Sequence, residues 1–378
     1  MTTLRHAAVC AAGLYALVLS SSCRSEGESP PDPTCGGQAP FVVPGAFASG
    51  VTTLDVSGNA VEVFYPAETR AAEGRAKARY DMRDFLPASS RPKIPDADAA
   101  FFEMDAYRDL PVSRARRFPV VLFSHGLGGF RLQSSFLASH LASWGFVVVA
   151  PEHPERNMAA VLEDLSKVDD KSPDQLRAAL TRMRGEDAKQ GGAFGGTLDL
   201  SKIAAMGHSM GGAATANLLD DKDIRAAVYL ASGGFGEGTP GKPILMMAGT
   251  GDGVAVNLDQ AFAKQPEGKR FVAIRDAGHL AFTDICAIGE DRGGVLEIAK
   301  THGVPVGPLV AKLARDGCEP DEDLPYAKAW PVVRHFVTAS LASALAVEPL
   351  YGQGGAPRGL GPEAASCFGD RVSSFEEK

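Results

Sequence analysis

No stretch of this 378-residue chain reaches eighteen uninterrupted apolar residues, the length an ordinary transmembrane helix needs, so a permanent membrane span is not expected. Positive charge is also short. Lys and Arg number 38 against 46 Asp and Glu, a net charge of −8, and no dense Lys/Arg run occurs. Binding to a phosphate backbone depends on such charge, which makes nucleic acid an unexpected partner. Cysteine is limited to six and histidine to eight, and no Cys/His set has the spacing of a zinc site. Neither a metal nor an organic cofactor is expected. What remains, 45% hydrophobic and 22% charged residues, is the mixture of a globular protein able to bury a large core, and one catalytic domain is the starting expectation.

The first residues are set apart. Arg5 and His6 precede an apolar run of small residues from Ala7 to Ser20, followed by Ser21-Ser22-Cys23, so residues 1–23 read as an export signal. Cys23 resembles the acylated cysteine of bacterial lipoproteins, although that box usually has Leu where Ser20 stands here. The resemblance makes Cys23 a candidate for lipidation and membrane attachment, with simple cleavage and secretion as the alternative. Residues 24–40, rich in Ser, Pro and Gly, read as a flexible tether, and residues 41–378 as the catalytic domain. An exported chain meets an oxidising compartment, and four cysteines remain beyond the signal. They permit three pairings. Cys286–Cys318 would close a local loop and Cys35–Cys367 would staple the two ends, which is the expected arrangement.

Val51 to Val63 reads as a leading antiparallel hairpin that Pro66 ends. Residues 67–117, charged and irregular, read as loop with short helices over the surface. A regular alternation then begins. Strands are expected at Val120–Phe123, Phe146–Ala150, Ile203–Met206, Ala226–Leu230, Ile244–Ala248 and Phe271–Ile274. Helices are expected over Phe136–Trp144, Ser172–Met183, Met210–Leu219, Asn257–Lys264 and Tyr326–Leu345. Repeated strand–helix units imply a mostly parallel sheet with helices on both faces.

Gly207-His208-Ser209-Met210-Gly211-Gly212 matches the G-x-S-x-G pattern between a strand and a helix, where a serine on a sharp turn becomes an exposed nucleophile. Upstream, Ser124-His125-Gly126-Leu127-Gly128-Gly129 follows another strand. The backbone N–H groups of Leu127 and Met210 are therefore the expected oxyanion donors. His125 is read as bracing its loop, because the base in such enzymes follows the nucleophile in chain order. His279 after the Phe271–Ile274 strand is that base. Among the carboxylates available, Asp252 follows a strand by a short turn and can reach the His279 ring, whereas Asp220, Asp221 and Asp223 sit at a helix end and Asp276 is too close in sequence.

The segments Phe123 to Arg131 and Gly207 to Gly212, with Glu152-His153, resemble the platelet-activating-factor acetylhydrolase group of the α/β-hydrolase superfamily. That group carries its acid soon after the nucleophile, but Tyr229 to Gly234 contains no carboxylate. An acid at Asp252 instead resembles cutinase-like polyester hydrolases and dienelactone-hydrolase relatives. The resemblance implies an α/β-hydrolase fold and a serine esterase acting on a small ester, a lipid or a polyester. A catalytically silent binding protein and an acyltransferase with the same three residues are the alternatives. The 286–318 insertion after the His279 loop is either a wall or lid of the site or a self-packed surface excursion.

Overall fold

The computed structural model describes residues 34–234, 241–347 and 359–378. The export signal, Cys23 and most of the tether lie outside these residues. Residues 34–40, expected as the tether's end, are tied to the domain at two points: Cys35 is bonded to Cys367, and Ala39 is buried.

The chain enters the sheet through a hairpin of β1 (Ala48–Val56) and β2 (Asn59–Ala67). Ser57 and Gly58 both have positive φ, the backbone handedness that matches the twist of a two-residue hairpin. Pro66 does not end β2. It pairs opposite Ser49, beyond the residues of β2 that pair with the neighbouring strand on its other edge, so its missing N–H breaks no bond there. A small two-stranded sheet follows, β3 (Arg79–Asp81) with β4 (Phe101–Glu103), and then the short β5 (Tyr107–Arg108). This stretch was expected to run over the surface. Instead it buries Met82, Phe85, Leu86, Ile94 and Met104, apolar residues too irregularly spaced to carry a helix or strand period.

The alternating part holds β6 (Phe118–Ser124), α1 (Ser135–Ser143), β7 (Val147–Pro151), α2 (Met158–Asp164), α3 (Ser172–Ala188), β8 (Leu198–His208), α4 (Met210–Ala216), β9 (Ile224–Leu230), β10 (Ile244–Gly249), α5 (Leu258–Ala263) and β11 (Lys269–Ile274). After β11 come α6 (Gly294–Thr301), α7 (Pro308–Leu313), α8 (Tyr326–Ala344), α9 (Pro362–Ser366) and β12 (Val372–Glu377). Helix α4 stops before the expected Leu219 because Leu218 and Leu219 turn their N–H groups to Thr215 and Ala216, the tighter bonds that close a helix. Strand β12 was not expected. Its Ser, Phe and Glu residues carry little apolar signal, and it adds antiparallel to the edge of β11.

Among the described residues the main sheet has ten strands in the order β12-β11-β10-β9-β8-β6-β7-β2-β1-β5. From β7 to β11 every pairing is parallel. Side chains alternate across it. Val121, Phe123, Met206 and Val228 face a core closed by α1 and α8, through Phe136, Leu141, Val333 and Phe336. Val120, Leu122, Ala205 and Tyr229 face a second core closed by α3, α4 and α5, through Leu176, Met183, Ala214 and Phe262. Each such aliphatic or phenyl side chain contributes about 1.5–3 kcal/mol on full burial. The chain leaves β6 toward β7, then crosses back to place β8 on the other side of β6. That reversal opens a crevice at the carboxyl ends of β6 and β8, where parallel sheets of this kind hold ligands.

Candidate active site

Ser209 lies on the turn from β8 into α4 with φ +54° and ψ −122°, a conformation that side chains larger than glycine rarely adopt. The turn holds because its neighbours are glycines. A Cβ on Gly207 would sit 2.1 Å from the Gly211 carbonyl oxygen, and one on Gly211 would sit 2.1 Å from that of Ser124. The Ser209 N–H donates to the Leu230 carbonyl at 2.9 Å, while its hydroxyl makes no hydrogen bond among the described residues and faces a cavity.

The loop after β6 is held from below. His125 is fully buried, its Nδ1–H donating to the Gly126 carbonyl at 2.8 Å and its Nε2 accepting the His153 N–H at 3.0 Å. Both ring nitrogens are thus committed in the neutral form, and burial pushes the pKa below the ordinary value. The guanidinium of Arg156, also fully buried, donates to the His125 carbonyl at 2.6 Å and to the Ser124 hydroxyl at 2.9 Å. His125 and His153 therefore brace the loop and do not line the cavity. Within Gly126 to Gly129, three N–H groups are used: Gly126 donates to Gln133 Oε1, Gly128 to the Arg156 carbonyl and Gly129 to the Gly126 carbonyl. The Leu127 N–H has no acceptor among the described residues, and neither has that of Met210. Two free donors thus flank Ser209.

His279 follows β11 and lines the same cavity as Ser209. Its Nδ1 is 2.9 Å from Asp252 Oδ2, and Asp252 Oδ1 accepts the N–H groups of Val254 and Ala255 at 2.8 and 2.7 Å. Burial pushes the Asp252 carboxyl up, but His279 and those two N–H donors outweigh it and hold the pKa below its ordinary value. Asp252 stays ionised behind the imidazole. The other carboxylates are elsewhere. Asp223 pairs with Arg184 on the surface, Asp276 is exposed, and the buried Asp284 accepts the N–H groups of Ser135 and Phe136 at the start of α1. His302 stands beside Asp98, and His335 is buried in α8.

Three residues that sequence reasoning did not single out tie these parts together. His208 Nε2–H donates to the His279 carbonyl at 3.0 Å, and its Nδ1 accepts from Gln133 Nε2 at 3.1 Å. Gln133 Oε1 in turn holds the Gly126 N–H at 3.2 Å, so one neutral chain joins the Leu127 loop, the Ser209 turn and the His279 loop. Burial, with the neighbouring His279 ring, pushes His208 down to about 3 and keeps it uncharged. Asp316 binds the Asp252 and His279 loops to each other, its Oδ1 accepting the His279 N–H and its Oδ2 the Gly253 N–H. Only the position of His208 inside the elbow could have signalled any of this from sequence.

The cavity has a volume of about 360 Å³. One wall belongs to the 286–318 insertion, whose ends are joined by the Cys286–Cys318 disulfide and whose helices α6 and α7 present Val295, Ile298, Val310 and Leu313. The insertion is thus a wall of the site and not a separate excursion. The rest of the wall comes from the irregular 67–117 segment, through Met82, Leu86 and Ile94, and from α2.

Residues 99–190 match the family described as platelet-activating factor acetylhydrolase, isoform II. The chain is 30% identical to the platelet-activating factor acetylhydrolase of Cavia porcellus over 158 residues, 32% of this chain and 36% of that protein. It is 30% identical to cutinase 1 of Thermobifida cellulosilytica over 116 residues, 30% of this chain and 39% of that protein. The matches thus span little more than a third of each relative's length. A ferulic acid esterase from Streptomyces cinnamoneus superposes with a TM-score of 0.55 at 21% identity, covering 82% of this chain and 94% of the other. The fold is that of the α/β-hydrolases.

Proposed function

We propose that this α/β-hydrolase cleaves carboxylic esters through an acyl-enzyme formed on Ser209. The observation that carries the reading is the convergence of Ser209 and His279 on one cavity, with Asp252 2.9 Å behind the imidazole. The matched acetylhydrolases, cutinase and ferulic acid esterase, all named as ester-cleaving enzymes, support the same class of reaction.

With Asp252 holding the Nδ1–H, His279 Nε2 takes the Ser209 proton as the oxygen attacks the ester carbonyl. The carbonyl oxygen becomes negative and is received by the Leu127 and Met210 N–H groups. Collapse expels the alcohol, which takes its proton from His279. Water then adds to the acyl-enzyme, giving its proton to His279, and the second collapse returns Ser209 and releases the acid. Each oxyanion donor is worth about 3–4 kcal/mol in such sites. No step needs a metal or organic cofactor. The two disulfides fit an exported protein, and export with either lipidation at Cys23 or simple cleavage and secretion is part of the same proposal.

The test is hydrolysis of p-nitrophenyl acetate together with labelling by a fluorophosphonate probe. Ser209→Ala should abolish both while the melting temperature holds. Turnover retained by the folded variant would overturn the assignment.

A further inference from the structure

The lining of the cavity separates into two chemistries. At its inner end lie the reacting groups, Ser209 and His279, with His208 and Gln133 beneath them. Away from them the lining is aliphatic: Leu86 and Ile94 on one side, Val161 and Leu162 of α2 on another, and the stapled segment on the third. Leu309, 55% exposed, marks its mouth. Phe85 and Phe130 stack on each other but do not reach the lining, so among the described residues no Phe, Tyr or Trp ring is offered to an aromatic acid. Among the described residues Arg83 is the one Lys or Arg on the lining. Its guanidinium is already taken by Asp81 at 2.6 Å, by Asp96 at 2.7 Å and by the Ile94 carbonyl at 3.1 Å. Among the described residues a phosphate or carboxylate on the substrate would find no unpaired Lys or Arg there.

From this lining we infer that the substrate is an ester bearing an extended, uncharged aliphatic chain, and that the wall between Cys286 and Cys318 selects it. The inference rests on the proposed ester hydrolysis and adds the substrate class. An acetyl group would leave most of the cavity unfilled, whereas each methylene that enters an apolar cavity from water gains roughly fourfold in binding. The chain can belong to the acid or to the alcohol half of the ester, since both radiate from the same carbonyl.

The experiment compares kcat/KM for p-nitrophenyl acetate, butyrate, octanoate and dodecanoate, and for ethyl octanoate against octyl acetate, with methyl ferulate as the aromatic arm. The gain should approach roughly fourfold per methylene over the chain length that the cavity accommodates. Ethyl octanoate preferred over octyl acetate assigns the chain to the acid, and the reverse assigns it to the alcohol. Val310→Trp, which fills the wall, should lower kcat/KM for the octanoate at least tenfold more than for the acetate; Val306→Phe is the second variant if the first does not fold. Binding of p-nitrophenyl octanoate by Ser209→Ala, tighter than binding of the acetate, reads the same preference without turnover. A flat or acetate-favouring p-nitrophenyl series together with octyl acetate turned over no faster than ethyl acetate, or preference for ferulate, in protein that still labels with the fluorophosphonate overturns this inference alone. Loss of both labelling and turnover on every ester overturns the hydrolase reading with it.

Discussion

Asp316 Oδ1 accepts the backbone N–H of His279 at 2.6 Å, and the other oxygen of the same carboxylate accepts the Gly253 N–H at 2.9 Å. One side chain thus spans the residue after Asp252 and the residue that Asp252 orients. The carbonyl of Asp316 takes the Leu280 N–H as well, at 2.8 Å. Because Asp316 belongs to the stapled insertion, the wall of the cavity and the spacing of the Asp252–His279 pair are built by one segment.

Asp316→Ala should therefore slow kcat by on the order of ten- to hundredfold, the scale on which a small misplacement acts, with KM changed little. The pH profile of kcat should shift as the pair loosens. Equal loss in KM and kcat, with an unmoved profile, would reduce Asp316 to a structural role.

Gln133→Leu removes the centre of the chain that runs from Gly126 through His208 to the His279 carbonyl. It leaves the Gly126 N–H and one His208 nitrogen unpaired at a buried position. Each such orphan costs about 1–3 kcal/mol, so the urea midpoint should fall. Steady-state kinetics should show kcat falling as well, because the Leu127 donor sits on the released loop. A less stable variant with full kcat would show that the chain only holds the fold.

Acid should destabilise the protein through histidines buried far from chemistry. Burial pushes His140 down to about 3 and His335 to about 4, against 6.5 for an ordinary histidine. Between those values the unfolded chain binds protons that the folded one refuses. Stability then rises with pH across that window and is lost as pH falls below about 6.5. Thermal melts from about pH 4 to 7 should show the slope, and His140→Gln should flatten part of it. A variant curve parallel to the wild type would remove His140 from the account.

The central sheet was legible because its strands are buried on both faces. Val120-Val121-Leu122-Phe123 has no polar alternation, and Pro119 and Gly126 bound it. The Ser209 turn was legible for a steric reason, since only glycine tolerates the approaches at positions 207 and 211. Boundaries drifted where local bonds decided, as at Leu218 and Leu219, and β12 was missed because an edge strand can be polar.

By itself, the sequence determined the parallel sheet, the order of Ser209, Asp252 and His279 along it, and the candidate loop at Leu127, since these depend on local period and on residue types that few conformations accept. Only the tertiary structure decided that Asp252 meets His279, that Gln133 and Asp316 hold the loops, and that residues 67–117 and 286–318 close an aliphatic cavity. Those contacts join residues far apart in the chain, by single hydrogen bonds and irregular apolar packing that leave no period to read.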